Sequence, residues 1–362
     1  MTPRQFKDSL ESEMRQYILP YWMYKASDMQ AGGYWGSIGA DGNVKKSAAK
    51  GGILHCRIMW SFSAAYGQFT DNALLNHASR THEFISANLV QTHNGRIGWH
   101  HENLTEFACV EDECIAQAYW LYALSEFDKQ CHEKQCSEQT LNAWQELQKL
   151  FIGKTFDESQ GETGYTWRTW LHIIEAIDNF ASLSFRQDAV KTLNGLLDNA
   201  LSLLQHHQGL NLSIPHRCAS AWLLMKWITN WQPQNKPMAT EVACALLDSA
   251  LLDGLKDNGG FVADAQDQHQ YGWVQAEAML ACWRCYIATN NNKYLQQVFK
   301  SWEFIQLYIS DHSFGEWRWK RNAESPAEDE KAGFWKCPYH NTRACLEIYN
   351  DLSNLDLKQW KQ

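Results

Sequence analysis

The sequence predicts an all-α fold, a closed toroid of six helical hairpins with short β-ribbons in the loops at one rim. Three observations predict it. Apolar residues recur at three- and four-residue steps along most of the chain, the spacing of amphipathic helices. Amphipathic segments alternate with more uniformly apolar ones, and the pair recurs six times at intervals of about 45–65 residues, which suits a ring of stacked hairpins better than a bundle. Loops rich in glycine and aromatic residues lead into the apolar segments.

The elements follow in order. Phe6, Leu10, Met14, Ile18 and Tyr21 mark a first outer helix over 4–25. Gly32 to Gly42 reads as a short hairpin with an Asp41-Gly42 turn. A more apolar inner helix over 52–66 carries Arg57, Trp60 and Phe62. Further outer helices are predicted over 72–90, 138–154, 187–206, 237–254 and 293–309, and inner ones over 112–128, 168–185, 218–232, 272–288 and 339–352. The loops Gly95–Glu102, Asp257–Phe261 and Phe314–Trp319 read as short ribbons on one rim. No proline- or serine-rich linker divides the chain, so 1–362 is expected to be one catalytic domain. In such a ring the inner helices start from the same end, and polar residues near those starts converge on a central pocket.

Composition narrows the function classes. A net charge of −9 with acids spread along the chain excludes a phosphate track for nucleic acid. No apolar run reaches membrane-spanning length, and the first residues lack the apolar core of a signal peptide. Eleven cysteines, an odd number without an export signal, read as reduced thiols and a cytoplasmic location. Eighteen tryptophans either fill a wide helical core or line a sugar site with flat apolar faces.

Candidate chemistry stands near the inner-helix starts. Arg57 lies in an apolar helix; His172 and Glu175 share a helix face; His216 follows Pro215; Glu277 sits among apolar neighbours; His340 opens the last inner helix. Each has a structural explanation when taken alone, but all recur at the same phase of successive repeats. Cys282 and Cys285 form a lone CxxC inside a helix, and the doublets His100-His101 and His206-His207 lack partners, so a metal is not expected. No phosphate loop, dinucleotide fingerprint or nucleophile elbow is present, and no cofactor is expected. Histidines, an arginine and carboxylates without a cofactor suit proton abstraction beside a carbonyl, with the arginine stabilising an enediolate oxygen. Inverting glycoside hydrolysis, which needs two carboxylates flanking a bond, is the alternative, together with a non-catalytic sugar-binding role.

Two stretches carry a likeness to known proteins: Lys50-Gly51-Gly52-Ile53-Leu54-His55-Cys56-Arg57-Ile58-Met59-Trp60-Ser61-Phe62-Ser63-Ala64-Ala65-Tyr66, and Gly333 to Ile348 with Lys336-Cys337-Pro338-Tyr339-His340-Asn341 at its centre. Leu171-His172-Ile173-Ile174-Glu175-Ala176 and Trp273-Val274-Gln275-Ala276-Glu277-Ala278 add to it. Through these the chain resembles the N-acylglucosamine 2-epimerase superfamily, nearest its cellobiose (mannobiose) and mannose 2-epimerase branch, over nearly its whole length. The resemblance implies an (α/α)6 barrel that interconverts aldoses at C2, or aldose and ketose, without a redox cofactor. It implies a free sugar of the glucose or mannose type, or a β-1,4-linked disaccharide, as substrate, and a monomer or homodimer. His340 and His216 would be the paired acid/bases, and Arg57 and His172 would hold the O1–O2 region. Glu277 would bind sugar hydroxyls between stacking walls Trp273 and Trp335, with Glu175, Trp60 and Arg168 completing the substrate-binding set. The chain also departs from the family. Pro215, Arg217 and Ala219 replace glycine, aspartate and glutamate around the second histidine, so His216 is expected to lack the carboxylate that orients it. Thr166-Trp167-Arg168-Thr169-Trp170 replaces a run of asparagines and threonine before His172, and Arg168 or Arg217 is a candidate for recognising an anionic or otherwise altered sugar.

Overall fold

Twelve α-helices alternate between an outer and an inner layer in the computed structural model, which describes residues 1–131, 134–157, 164–183, 187–206, 212–321 and 329–354. The outer layer holds α1 (Pro3–Ser12, continued by π-helical turns at Glu13–Ile18 and Tyr21–Lys25), α3 (Asn72–Asn88), α5 (Lys134–Phe151), α7 (Gln187–His206), α9 (Lys236–Gly254) and α11 (Asn292–Phe304). The inner layer holds α2 (Gly52–Phe69), α4 (Val110–Cys131), α6 (Trp167–Ala181), α8 (Ile214–Trp231), α10 (Gly272–Thr289) and α12 (Tyr339–Asn354). Burial separates the layers: α2 is covered continuously from Gly52 to Ser63, whereas α3 buries only Leu74, Ala78, Thr81, Phe84 and Ile85. Each inner helix packs on the next, and α12 packs on both α10 and α2, which closes the ring of an (α/α)6 barrel. The helix expected to begin at 218 starts at Ile214 instead, because Pro215 suits the first turn of a helix, where no amide donor is needed. No helix among the described residues is long and apolar enough to cross a membrane.

Local chemistry sets the tight returns from inner to outer helix. α2 ends on Thr70 in the left-handed region (φ 51°), and Asp71 then caps α3 by accepting from the Ala73 amide at 2.9 Å. The same pair of devices recurs where α10 ends on Asn290 (φ 54°) and Asn291 caps α11 through the Lys293 amide at 3.1 Å.

The opposite rim carries the longer loops, and the predicted ribbons are there. Antiparallel bridges Val90–Ile97, Leu255–Phe261 and Ser310–Trp317 follow α3, α9 and α11 in turn. Gly95, Gly259 and Gly315 supply the left-handed residue in each ribbon, with φ between 75° and 84°. Further bridges, Gly51–His100 and Tyr271–Lys320, tie the ribbons to the starts of α2 and α10. The expected hairpin at 32–42 is instead two small ribbons, bridged at Ser27–Tyr34 and Ile38–Val44, with Gly42 in the turn of the second. A short parallel pair, β1 (Thr155–Phe156) and β2 (Gly164–Tyr165), precedes α6.

One buried carboxylate pins this rim. Glu316 is fully buried and accepts from Trp22 Nε1, from Asn341 Nδ2 at 2.6 Å and from Lys336 Nζ at 2.7 Å. These contacts join the end of the first outer helix, the loop before α12 and α12 itself. Replacing Glu316 by Gln leaves the buried Lys336 ammonium without its counter-charge. The variant is expected to unfold about 3 kcal/mol more easily in urea, and an unchanged midpoint would show that the rim is held elsewhere.

Candidate active site

The inner helices surround a cavity of about 300 Å³ that opens at the ribbon-bearing rim. Each contributing helix presents one face to it. α6 offers Arg168, His172 and Glu175; α8 offers His216, Ala219 and Trp222; α10 offers Trp273 and Glu277; α12 offers Tyr339, His340 and Arg343; α2 offers Arg57. Steps of three and four residues put each set on a single stripe, which is why groups scattered over almost three hundred residues of sequence meet here. The loop residues Trp319 and Trp335 complete the wall.

His340 is held by a carboxylate. Its Nδ1 lies 2.6 Å from Glu277 Oε1. Glu277 also accepts from Trp222 Nε1 at 2.7 Å and from the Arg343 guanidinium. Arg343, from the next turn of α12, reaches Glu175 as well, and Glu175 accepts from the Tyr339 hydroxyl. His172 Nδ1 is 3.7 Å from Glu175 and 3.1 Å from the hydroxyl of Tyr119 on α4, and that hydroxyl in turn meets Arg57. One hydrogen-bonded network therefore runs from His340 through Glu277, Arg343 and Glu175 towards His172, and through Tyr119 to Arg57.

Arg57 is buried and has no carboxylate partner among the described residues. It donates to Tyr119 and to the Trp335 carbonyl at 3.3 Å, and it lies 4.3–5.3 Å from the ring centroids of Tyr119, Tyr339 and Trp335. Aromatic faces partly replace the missing anion, and its Nε remains unpartnered.

His216 differs from His340. Among the described residues its Nδ1 meets only the Ser213 hydroxyl, at 3.0 Å, and Ala219 one turn on offers no polar group. The absence of a carboxylate beside His216, read from the sequence, holds in three dimensions. Arg217 turns away from the cavity to pair with Asp253 at 2.6 Å.

Burial and neighbouring cations set the titration of the site. Burial pushes the His340 imidazole down to about 4, with Arg57 and Arg343 adding to the effect and Glu277 opposing it. Burial also takes His216 down to about 4, helped by His172 and Arg168. His172 is lowered for the same first reason, against the pull of Glu175. Burial alone would raise the Glu277 carboxyl, but Arg343 and the bond to His340 outweigh it and hold it at about 2. At neutral pH the site thus presents neutral imidazoles beside ionised carboxylates.

The structure corrects one expected role. Trp60 does not line the cavity: it stacks on Tyr122 at 5.2 Å and meets the edge of Tyr339, which stands between it and the opening. Glu277, expected to bind sugar hydroxyls, and Glu175, expected in the substrate-binding set, both line the cavity and also accept from protein donors, as buried carboxylates require. Trp273, Trp335, Arg57, His172, Arg168, His216 and His340 line the cavity as expected. Most remaining tryptophans, Trp22, Trp120, Trp227, Trp283, Trp302 and Trp317 among them, are core. Arg343, Tyr119, Trp222 and Trp319 were not singled out from sequence. Arg343 carried a readable signal, a charge in an apolar helix three residues after His340, and the others carried none. His207 lies outside the described residues, as does the side chain of His206. Cys282 and Cys285 are buried free thiols.

Comparison with known proteins agrees with this layout. Residues 208–344 match the N-acylglucosamine 2-epimerase (GlcNAc 2-epimerase) family profile. A cellobiose 2-epimerase of Bacteroides fragilis is 25% identical, with 95% of this chain and 99% of that protein aligned. The structure of a cellobiose 2-epimerase from Bacillus thermoamylovorans superposes with a TM-score of 0.84 at 25% identity, over 96% of this chain and all of the other. Over nearly its whole length the chain is similar to cellobiose 2-epimerases, and part of it matches the N-acylglucosamine 2-epimerase family. The likeness to these sugar epimerases marks it as an isomerase. A D-mannose isomerase of Marinomonas mediterranea is 35% identical over a shorter stretch, 24% of this chain and 22% of that protein. In this chain a carboxylate stands behind His340, and His216 is hydrogen-bonded to a serine hydroxyl instead.

The depressed histidines set a pH signature. Because the folded-state values lie below the usual 6.5, the imidazoles stay neutral as pH falls through 6.5, while the unfolded chain takes up protons there. Stability is expected to be full above pH 6.5 and to decline as pH drops towards 4, measured as the urea midpoint across that range. Turnover per free enzyme, kcat/KM, is expected to hold its plateau below pH 6 and fall only near pH 4–5. An acid limb centred at 6.5 would contradict the assignment.

Proposed function

We propose that the protein moves the C2 proton of a free reducing aldose of the glucose or mannose type, through ring opening and a cis-enediolate. The observation that carries this reading is the pairing of His340 Nδ1 with Glu277 at the edge of a cavity that also holds an arginine with no carboxylate partner. With Nδ1 bonded to Glu277, Nε2 of the neutral ring is left to accept the proton from C2. The imidazolium that forms lies against an ionised carboxylate, as in other histidine–carboxylate pairs. Arg57, buried without an opposing carboxylate, meets the oxygen charge that develops on the enediolate. His172, backed by Tyr119 and Glu175, assists ring opening at O1. Trp273 and Trp335 supply the apolar faces for the sugar. The full-length likeness to cellobiose 2-epimerases supports the choice of carbon and includes disaccharides among the candidate substrates.

In the leading reading His216 returns a proton on the other face of C2, and the product is the C2 epimer. A second reading is favoured by the missing carboxylate at His216: His340 delivers the proton it took to C1, and a ketose leaves. Inverting hydrolysis draws no support, because Glu175 and Glu277 are bound to the same guanidinium and neither is free to serve a water or a leaving group.

Two experiments test the proposal. Glucose, mannose, cellobiose and mannobiose incubated with the protein in heavy water should yield either the C2 epimer with deuterium at C2, or the ketose with deuterium at C1 only to the extent that the proton held by His340 exchanges with solvent. A panel with neither exchange nor conversion would sink both readings. Glu277→Gln should lower kcat about 10²-fold or more with little change in KM, since it removes the charge behind the catalytic imidazole. A variant with wild-type kcat would show that His340 acts unaided.

A further inference from the structure

The cavity wall carries more positive charge than its chemistry uses. Its lining cations are Arg57, Arg168 and Arg343, and its carboxylates are Glu175 and Glu277. Arg343 takes up both carboxylates. Arg57 serves the developing enediolate. Arg168 is left, and it is unlike any other charged group of the site. Its guanidinium makes no hydrogen bond among the described residues, and its nearest carboxylate, Asp112, stands outside the lining at 3.5 Å. With one long ion pair and no hydrogen bond among the described residues, this guanidinium keeps most of its five donors to spare on the pocket wall, in a chain of net charge −9.

Its depth is also informative. Arg168, His172 and Glu175 occupy successive turns of one stripe of α6, and their side chains are 44%, 19% and 8% exposed. Arg168 therefore marks the mouth and Glu175 the floor. Four residues of helix separate Arg168 from His172 by about 6 Å along the axis. That rise is comparable with the distance from the C1–C2 end of a hexose to its C6 substituent. Arg168 and Arg57 both approach the Trp335 ring, at 5.9 and 5.3 Å from its centroid. A sugar lying along Trp335 would thus have its reacting end at Arg57 and His172 and its far end at Arg168.

We infer that Arg168 selects a reducing aldose bearing an anionic group at C6, a carboxylate or a phosphate, held by charge-assisted hydrogen bonds at the cavity mouth. The inference rests on the proposed proton chemistry only for the sugar's orientation. Arg217, the other arginine near the site in sequence, is committed to Asp253 and plays no part.

The test separates binding from turnover. Calorimetric titration with sorbitol 6-phosphate, gulonate (glucuronate reduced at C1) and sorbitol uses ligands that have no aldehyde or ketone to react, so it reads recognition even if no sugar is converted. An anionic ligand is expected to bind at least about tenfold more tightly than sorbitol, less so at raised ionic strength. The preferred arm identifies phosphate or carboxylate, and inorganic phosphate alone should bind weakly. In Arg168→Gln the anionic-to-neutral affinity ratio should fall about tenfold towards one. Equal affinity for the three ligands, or a ratio unchanged in the variant, would overturn the inference. Where conversion is measurable, the kcat/KM ratio of glucose 6-phosphate or glucuronate to glucose should follow the same pattern. Conversion of no sugar, with the anionic binding preference intact, would refute the proposed reaction and leave Arg168 as the recognition group.

Discussion

The site depends on one buried arginine between two carboxylates. Glu175 comes from α6, Glu277 from α10 and Arg343 from α12, so the ion cluster spans half of the inner ring. Two carboxylates this close in a medium of low dielectric would repel each other and favour protonation. Arg343 reverses that balance and keeps both ionised, while the rings of Trp222 and Tyr339, each 4.5 Å from its guanidinium carbon, cover it from solvent. Breaking such a cluster leaves uncompensated charge inside the barrel, at a cost of about 3–5 kcal/mol. The cluster therefore serves stability and chemistry through the same contacts: the carboxylate that needs Arg343 is also the one that orients His340.

From that hub two of the cavity's three histidines, His340 and His216, acquire different characters. His340 has a strong acceptor behind it and can hold a proton in passing. His216 has a hydroxyl, and its ring is buried likewise with Glu277 acting on it only through space, not through a hydrogen bond. Both rings are neutral near pH 7, but only one sits in a frame that lowers the cost of becoming charged. In the proposed reaction, that difference in second partners separates a proton that leaves by one histidine and returns by another from one that travels with a single ring from C2 to C1.

Around the hub, the rim supplies access and grip. Glu316 and Glu13 collect indole, amide and ammonium donors from segments far apart in sequence, Glu13 meeting Trp317 Nε1 at 2.9 Å and His312 at 3.0 Å. Holding the rim loops this way places Trp319 and Trp335 over the cavity, where loops alone would leave them unordered. The result is a wall of fixed aromatic faces above a polar floor, with Arg168 at the opening.

The sequence by itself determined the alternation of outer and inner helices, the ribbons at one rim and most of the cavity lining, because helical periodicity and charges in apolar stretches are local signals. Arg57, His172, Glu175, Glu277 and His340 were all legible as costly groups at matching phases of a repeat. Only the tertiary structure decided what those groups touch. It showed that Glu277 bonds His340, that Trp60 meets the edge of Tyr339, that Arg217 pairs closely with Asp253 while Arg168 has a longer pair with Asp112, and that Arg343 joins both carboxylates. The physical reason is that a buried polar group is defined by its partners, and those partners come from helices whose spacing in sequence carries no record of which faces meet.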